Sequence, residues 1–212
     1  MDHQILLSRL AERFGLTGDV LTWFASYLSE RKQFVSVPGG VSTHRDLLSG
    51  LPQGSVLGPM LFLVYTAPLS DIIRNHGMSY HLYADDTQIY ISFKSSETDL
   101  ARARIEACIQ DINQWMSQNL LKMNKDKTEL LIINARHRPT PPISSISICD
   151  ETINPSINAR NIGVYFDSTM SMETQVGETC KSAFLHLRNI WRIRKYLSVR
   201  SAEILVHAFI TS

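Results

Sequence analysis

Apolar side chains recur at helical spacing from the first residues of the chain. Ile5, Leu6, Leu10 and Phe14 share one face of a segment that Asp2 can cap and Gly15 can end. Val20, Leu21, Phe24, Tyr27 and Leu28 mark a second helix that Thr17 can cap, and Arg31 and Lys32 suit its C-terminal end. Phe34 to Val37, the turn Pro38-Gly39-Gly40 and Val41 onward read as a short hairpin. A glycine-rich loop, Gly50 to Ser55, then leads into a strongly apolar helix expected from Pro59 to Ile73, with Pro59 in its first turn. The period changes at Tyr80 to Phe93, where Ile89, Ile91 and Phe93 alternate after two aspartates, as in a β-hairpin.

Ser96 and Asp99 can form a capping box opening a helix with Ile105, Cys108, Ile112 and Trp115 on one face. Lys127 to Ile133 reads as a strand. Arg136 to Ser145, with three prolines, reads as a loop, and Ile146 to Ile162 as short strands around Asn154-Pro155. A long helix is expected from about Glu173 to Leu197, and another from Ser198 that is still running where the chain stops. The order of elements implies an α+β fold: an antiparallel sheet with helices packed on one face, in a split βαβ-like arrangement, followed by a helical piece.

Composition narrows the class. Of 212 residues 44% are hydrophobic and 19% charged, which is ordinary globular composition, and a net charge of +1 singles out no partner. Cys108, Cys149 and Cys180 lie far apart, so neither a disulfide framework nor a zinc site is indicated and a reducing intracellular compartment, nucleus or cytoplasm, fits. The N-terminal segment carries charges throughout, unlike a signal peptide or a membrane span.

Tyr83-Ala84-Asp85-Asp86 is the most informative tetrad. Adjacent strand residues face opposite ways, so a tight turn is needed to aim both aspartates at one ligand. Two carboxylates this close repel, and a magnesium ion offsets that repulsion. The second signal is GLPQGSVLGPMLF at positions 50 to 62. Its glycines let backbone approach a ligand closely, Gln53 adds a two-way hydrogen-bonding side chain, and the helix N-terminus that follows favours a phosphate.

With these motifs in this order, the chain resembles the reverse transcriptases of non-LTR (LINE-type) retrotransposons. GLPQGSVLGP is similar to their motif B, which contacts template and nucleotide, and YADD to motif C. LKMNKDKTELLI, positions 121 to 132, resembles motif D, with Lys127 at the place of its lysine. NIGVYFDSTMSM, positions 161 to 172, resembles motif E, the primer grip, and CKSAFLHLRNIWRIRKYLS, positions 180 to 198, the start of the thumb. Group II intron maturases and telomerases share the acidic motif, but Gly-Ser-Val-Leu-Gly after the glutamine fits the LINE type better.

The resemblance implies a polymerase palm over residues 1–172 and the start of a helical thumb over 173–212. It implies two-metal phosphoryl transfer with Mg2+, an RNA template, a DNA primer and deoxynucleotides. Asp85 would be the main metal ligand and Asp86 the weaker one. Tyr83 and Ala84 would lie beside the primer end, Gln53 and Gly54 beside the template base and incoming nucleotide. Lys127 would be a general acid for the pyrophosphate leaving group. Of the family's motif A, which supplies a third metal-binding aspartate, only a trailing Met1-Asp2-His3 stands here. Asp2 is expected to cap the first helix, and two carboxylates in place of three imply a catalytically inactive nucleic-acid-binding remnant or decayed copy as the alternative to an active polymerase.

The C-terminal helix points to nucleic acid independently of the resemblance. Six basic residues and no acidic ones lie between Lys181 and Arg200. At 100° per residue Lys181, Arg188, Arg192 and Lys195 form one stripe beside an apolar face of Cys180, Ala183, Leu187 and Ile190. Trp191 reads as a core residue.

Overall fold

The computed structural model describes residues 1–51, 54–137, 143–148 and 151–211. These fall into two compact units, Met1–Lys127 with Ile146–Thr152 and Thr128–Ser145 with Ile153–Ser212.

In the first unit, α1 (His3–Glu12) begins where the Asp2 carboxylate accepts the Gln4 and Ile5 amides at 2.9 and 3.0 Å, the cap its position predicts. Thr17 precedes α2 (Gly18–Leu28) as expected, but its side chain makes no capping bond. The apolar helix predicted from Pro59 to Ile73 is two helices, α3 (Gly58–Thr66) and α4 (Leu69–Asn75). Pro68 separates them, since it has no N–H to donate and its ring crowds the carbonyl one turn back. Leu6, Leu10, Leu28, Leu61 and Tyr65 make the first buried cluster.

A polar network runs beside this cluster. Tyr65 is fully buried, donates its hydroxyl to the Asn119 carbonyl at 2.6 Å and accepts the Asp2 amide at 3.2 Å. Arg9 donates to the Tyr65 carbonyl and, at 2.8 Å, to Asn119 Oδ1. Its guanidinium lies 5.6 and 5.5 Å from the Tyr65 and Trp115 ring centroids. Partial burial lowers the Arg9 pKa, with the nearby Tyr65 acting in the opposite sense.

The second cluster carries the hairpin. Strands Ser79–Tyr83 and Asp86–Tyr90 pair antiparallel, with Tyr80 opposite Ile89 and Tyr83 opposite Asp86. Tyr80 and Ile89 pack on the buried cluster of Leu69, Ile73 and Met78 with Cys108 and Ile112 of α5 (Thr98–Gln118), and Ile105 and Trp115 of the same helix pack on it too. The predicted apolar face of that helix is therefore the one used. Burial first, and the Asp111 charge second, push the Cys108 thiol up to about 11, so it packs as a small apolar side chain. Entry to α5 differs from expectation. The chain arrives through a 3-10 turn, Ser95–Glu97, and Glu97 rather than Asp99 reaches back to the Lys94 amide at 3.1 Å.

The sheet is less extensive than the split βαβ-like expectation. The described strands form two-stranded ladders, mostly antiparallel, among helices. Lys32–Gln33 pairs with Arg45–Asp46 and Ser36–Val37 with Gly40–Val41, giving the hairpin expected around Pro38-Gly39.

In the second unit, Asn158–Asn161 pairs antiparallel with Val164–Asp167. The strand expected from Lys127 to Ile133 is reduced to Leu130–Leu131, parallel to Pro155–Ser156. Helix α6 (Glu173–Ile193) ends four residues before Leu197 and passes into a 3-10 turn, Arg194–Tyr196. Ser198 caps α7 (Val199–Val206) by accepting the Ser201 amide at 3.1 Å, and a π-helical turn, His207–Thr211, follows. Among the described residues no helix is long and apolar enough to cross a membrane.

Candidate active site

The two aspartates occupy different positions at the hairpin tip. Tyr83 and Asp86 are the last cross-strand pair, so Ala84 and Asp85 alone make the turn. A two-residue turn between twisted strands needs positive φ, and Ala84 supplies it at φ 53°. Register assigns the faces. Tyr80, Leu82 and Ile89 point towards the helices, while His81, Tyr83, Asp86 and Tyr90 lie on the other face. There His81 and Tyr90 stack at 5.3 Å between ring centroids, with Nε2 and Oη 3.2 Å apart.

Asp85 and Asp86 are exposed, and among the described residues neither carboxylate has an ion-pair partner. As a donor set they are two hard oxygen ligands, which suits one hard divalent cation completing its shell with water and phosphate oxygens. No cluster of three or more His, Cys, Asp or Glu residues able to hold a metal forms among the described residues. Two ions in fixed geometry need more carboxylates than these.

The other predicted site residues of this unit lie on other segments of the chain. Gln53 lies outside the described residues. Gly54, at φ 79°, lines a cavity of about 460 Å³ with Met1, Leu51, Ser55, Gly58, Pro59, Phe62 and Leu121. The Gly58 amide at the start of α3 is already taken by Ser55 Oγ at 3.1 Å. Lys127 closes an exposed 3-10 turn, Lys125–Lys127, instead of opening a strand, because its amide bonds back to the Asn124 carbonyl. No hydrogen bond or ion pair among the described residues joins Lys127 or Gly54 to either aspartate.

On α6, Arg188 and Arg192 are exposed and Lys181 pairs with Glu178 at 3.2 Å. Lys195 belongs to the 3-10 turn, so the stripe is helical only as far as Arg192. Trp191, expected in the core, is 77% exposed. Ile190 takes the buried position and the next residue is turned about 100° away from it.

Asp167 is a structural anchor that the sequence reading overlooked. Its Oδ1 accepts the Thr169 amide and hydroxyl and the Ser171 amide, at 3.0, 2.8 and 2.9 Å. Oδ2 accepts the Ser171 hydroxyl and the Met172 amide, at 3.0 and 2.7 Å. These bonds, the Ser171 amide foremost, hold its carboxyl well below the usual carboxylate range against the opposing effect of burial. The signal was present as an Asp followed at two and four residues by Thr and Ser, the spacing of local side-chain-to-backbone turns.

Comparison with known proteins supplies the family. Residues 2–148 match the family described as "Reverse transcriptase (RNA-dependent DNA polymerase)". Three Drosophila melanogaster proteins are similar to the chain. The probable RNA-directed DNA polymerase from transposon BS is 25% identical over 181 residues, covering 80% of this chain and 19% of that protein. The probable RNA-directed DNA polymerase from transposon X-element is 26% identical over 71% of this chain and 16% of that protein. The RNA-directed DNA polymerase from mobile element jockey is 29% identical over 56% of this chain and 13% of that protein. The chain thus spans less than a fifth of the length of these relatives, and no solved structure matches it. With the acidic hairpin inside a match that covers well over half of its length, the chain belongs to the reverse transcriptase (RNA-dependent DNA polymerase) family.

Proposed function

We propose that this chain carries the acidic hairpin and the succeeding nucleic-acid-contacting segments of an RNA-directed DNA polymerase, acting on an RNA template, a DNA primer and deoxynucleotides. The observation that carries the reading is the two-residue turn that presents Asp85 beside Asp86, both exposed and without ion-pair partners among the described residues. Asp85, in the turn, is the principal ligand for Mg2+, and Asp86, on the outer strand face, is the second. When bound, the cation would supply charge neutralisation to the phosphates. Tyr83 and Ala84 flank the primer end, and Gln53 and Gly54 serve the template base and incoming nucleotide. Lys127, exposed and on a short turn, is the proton donor for the leaving pyrophosphate. Residues 1–172 act as a partial palm and 173–212 as the start of a thumb, where Lys181, Arg188, Arg192 and Lys195 meet the phosphate backbone.

A second reading has its own support. Among the described residues no third carboxylate joins Asp85 and Asp86, a donor set suited to one ion rather than two, and the second reading is a chain that binds nucleic acid without extending it. The test is to give the purified chain a primed RNA template, magnesium and deoxynucleotides. Binding of the primed template with primer extension supports the first reading, and binding without extension, the outcome expected of two carboxylates alone, supports the second. Extension that disappears in Asp85→Asn would show a complete polymerase site, and failure to bind the template at all would remove both readings.

A further inference from the structure

Helix α6 displays aromatic rings among its cations. Phe184 and Trp191 are 70% and 77% exposed, as is Tyr196 at 77% in the turn that follows. At 100° per residue Phe184, Arg188 and Trp191 fall within about 60° of one another, so an arginine lies between two aromatic rings on one line of the helix. The two rings are about 10 Å apart along the axis. Arg192 flanks the line, and Lys195 Nζ lies 4.8 Å from the Tyr196 ring centroid. Among the described residues neither Arg188 nor Arg192 has an ion-pair partner. No acidic residue occurs between Lys181 and Arg200.

Several exposed rings on one helical segment, rimmed by charged side chains, mark an interaction surface. A purely apolar partner would have to leave the neighbouring guanidinium groups either desolvated or at its rim. A polyanion whose flat apolar faces alternate with phosphates answers both features. We infer that this ridge is a stacking platform for unpaired bases, so that α6 binds a single-stranded nucleic acid. In a duplex the base faces are already stacked on one another and only edges and phosphates are presented. An unpaired base instead offers its face to Trp191 while Arg188 and Arg192 hold the adjoining phosphates. The inference rests on the proposed nucleic-acid surface and narrows it from backbone contact to base stacking.

The test uses the whole chain with three probes: a dT oligonucleotide, a U oligonucleotide and an RNA–DNA hybrid, each titrated over a range of salt. Trp191→Ala should weaken both single strands about 5- to 150-fold, the range that base stacking on an aromatic side chain supplies. It should leave the hybrid and the salt slope unchanged. Trp191→Phe should restore most of the affinity, and Trp191→Leu, which keeps apolar area without a π face, should not. Arg192→Ala should lower the salt slope on single strands by about 0.7.

Single-strand affinity unaltered in Trp191→Ala would overturn the inference, while a slope still sensitive to Arg192 would leave the wider nucleic-acid surface standing. Wild-type affinity in Trp191→Leu would make the ridge a general apolar docking face. Self-association of the wild type, lost in Trp191→Ala with no change on single strands, would make it a contact between copies of the chain. Either result overturns stacking.

Discussion

The Tyr65 hydroxyl and the Asn119 carbonyl are joined at 2.6 Å although 54 residues separate them. This bond ties the middle of the first unit's core to the end of α5, where Asn119 follows Gln118 and Leu120 turns back with φ 52°. The same hydroxyl accepts the Asp2 amide, so one buried atom secures both the start of α1 and the exit of α5.

Tyr65→Phe removes that atom and leaves an amide and a carbonyl without this partner. The expected cost is about 1–3 kcal/mol of unfolding free energy, the usual penalty for stranding a buried polar group. Urea denaturation measures it. A change within about 0.5 kcal/mol, typical of a surface substitution, would show that the network makes no net contribution.

Ala84 carries left-handed backbone in the turn beside Asp85. An L-residue there costs about 1–2 kcal/mol relative to glycine, offset in part by the greater freedom glycine has when unfolded. Ala84→Gly should therefore stabilise the chain by about 0.5–1 kcal/mol. A shift of the urea midpoint to higher concentration at unchanged slope would report it. A midpoint moved downwards would mean that Ala84 is not strained in solution.

Asp167 makes stability sensitive to acid. Its folded pKa lies below its unfolded value, so between the two the unfolded chain binds more protons. The contribution is fully present above the unfolded value, near pH 4, and is lost as pH falls through the folded value. Asp71, held low first by its bond to Arg13 at 2.6 Å, acts in the same sense. Asp167→Asn should lower the melting temperature at pH 7, and the gap from wild type should narrow as pH falls towards 2. Parallel melting curves across that range would show that the loop does not depend on an ionised Asp167.

The basic stripe predicts a salt dependence. If Arg188 and Arg192 each neutralise a phosphate of a template–primer hybrid, replacing both with alanine should lower the slope of log affinity against log salt by up to about two. Both are exposed, so circular dichroism should be unchanged. Equal slopes for wild type and the double variant would make the stripe a solvated face.

What could be read without a structure was what depends on near neighbours in the chain. The alternation about Ile89 places the acidic hairpin, the 3.6-residue period from Ile105 to Trp115 places the helix face beneath it, and Asp2 caps the helix that follows it. Order and spacing of the motifs carry the family for the same reason. The tertiary structure decided where elements stop and which of two neighbouring side chains is covered. Pro68 divides an apolar run that is continuous in hydrophobicity, because a missing N–H does not register in an apolar pattern. Ile190 is covered and Trp191 is not, since both suit a core by composition and only the direction of the packed face separates them. The five donors that converge on Asp167 lie two to five residues further along the chain, so that anchor belongs with the local features. Tyr65 is the opposite case: the Asp2 amide and the Asn119 carbonyl are brought to its hydroxyl from 63 and 54 residues away, and no local pattern records them.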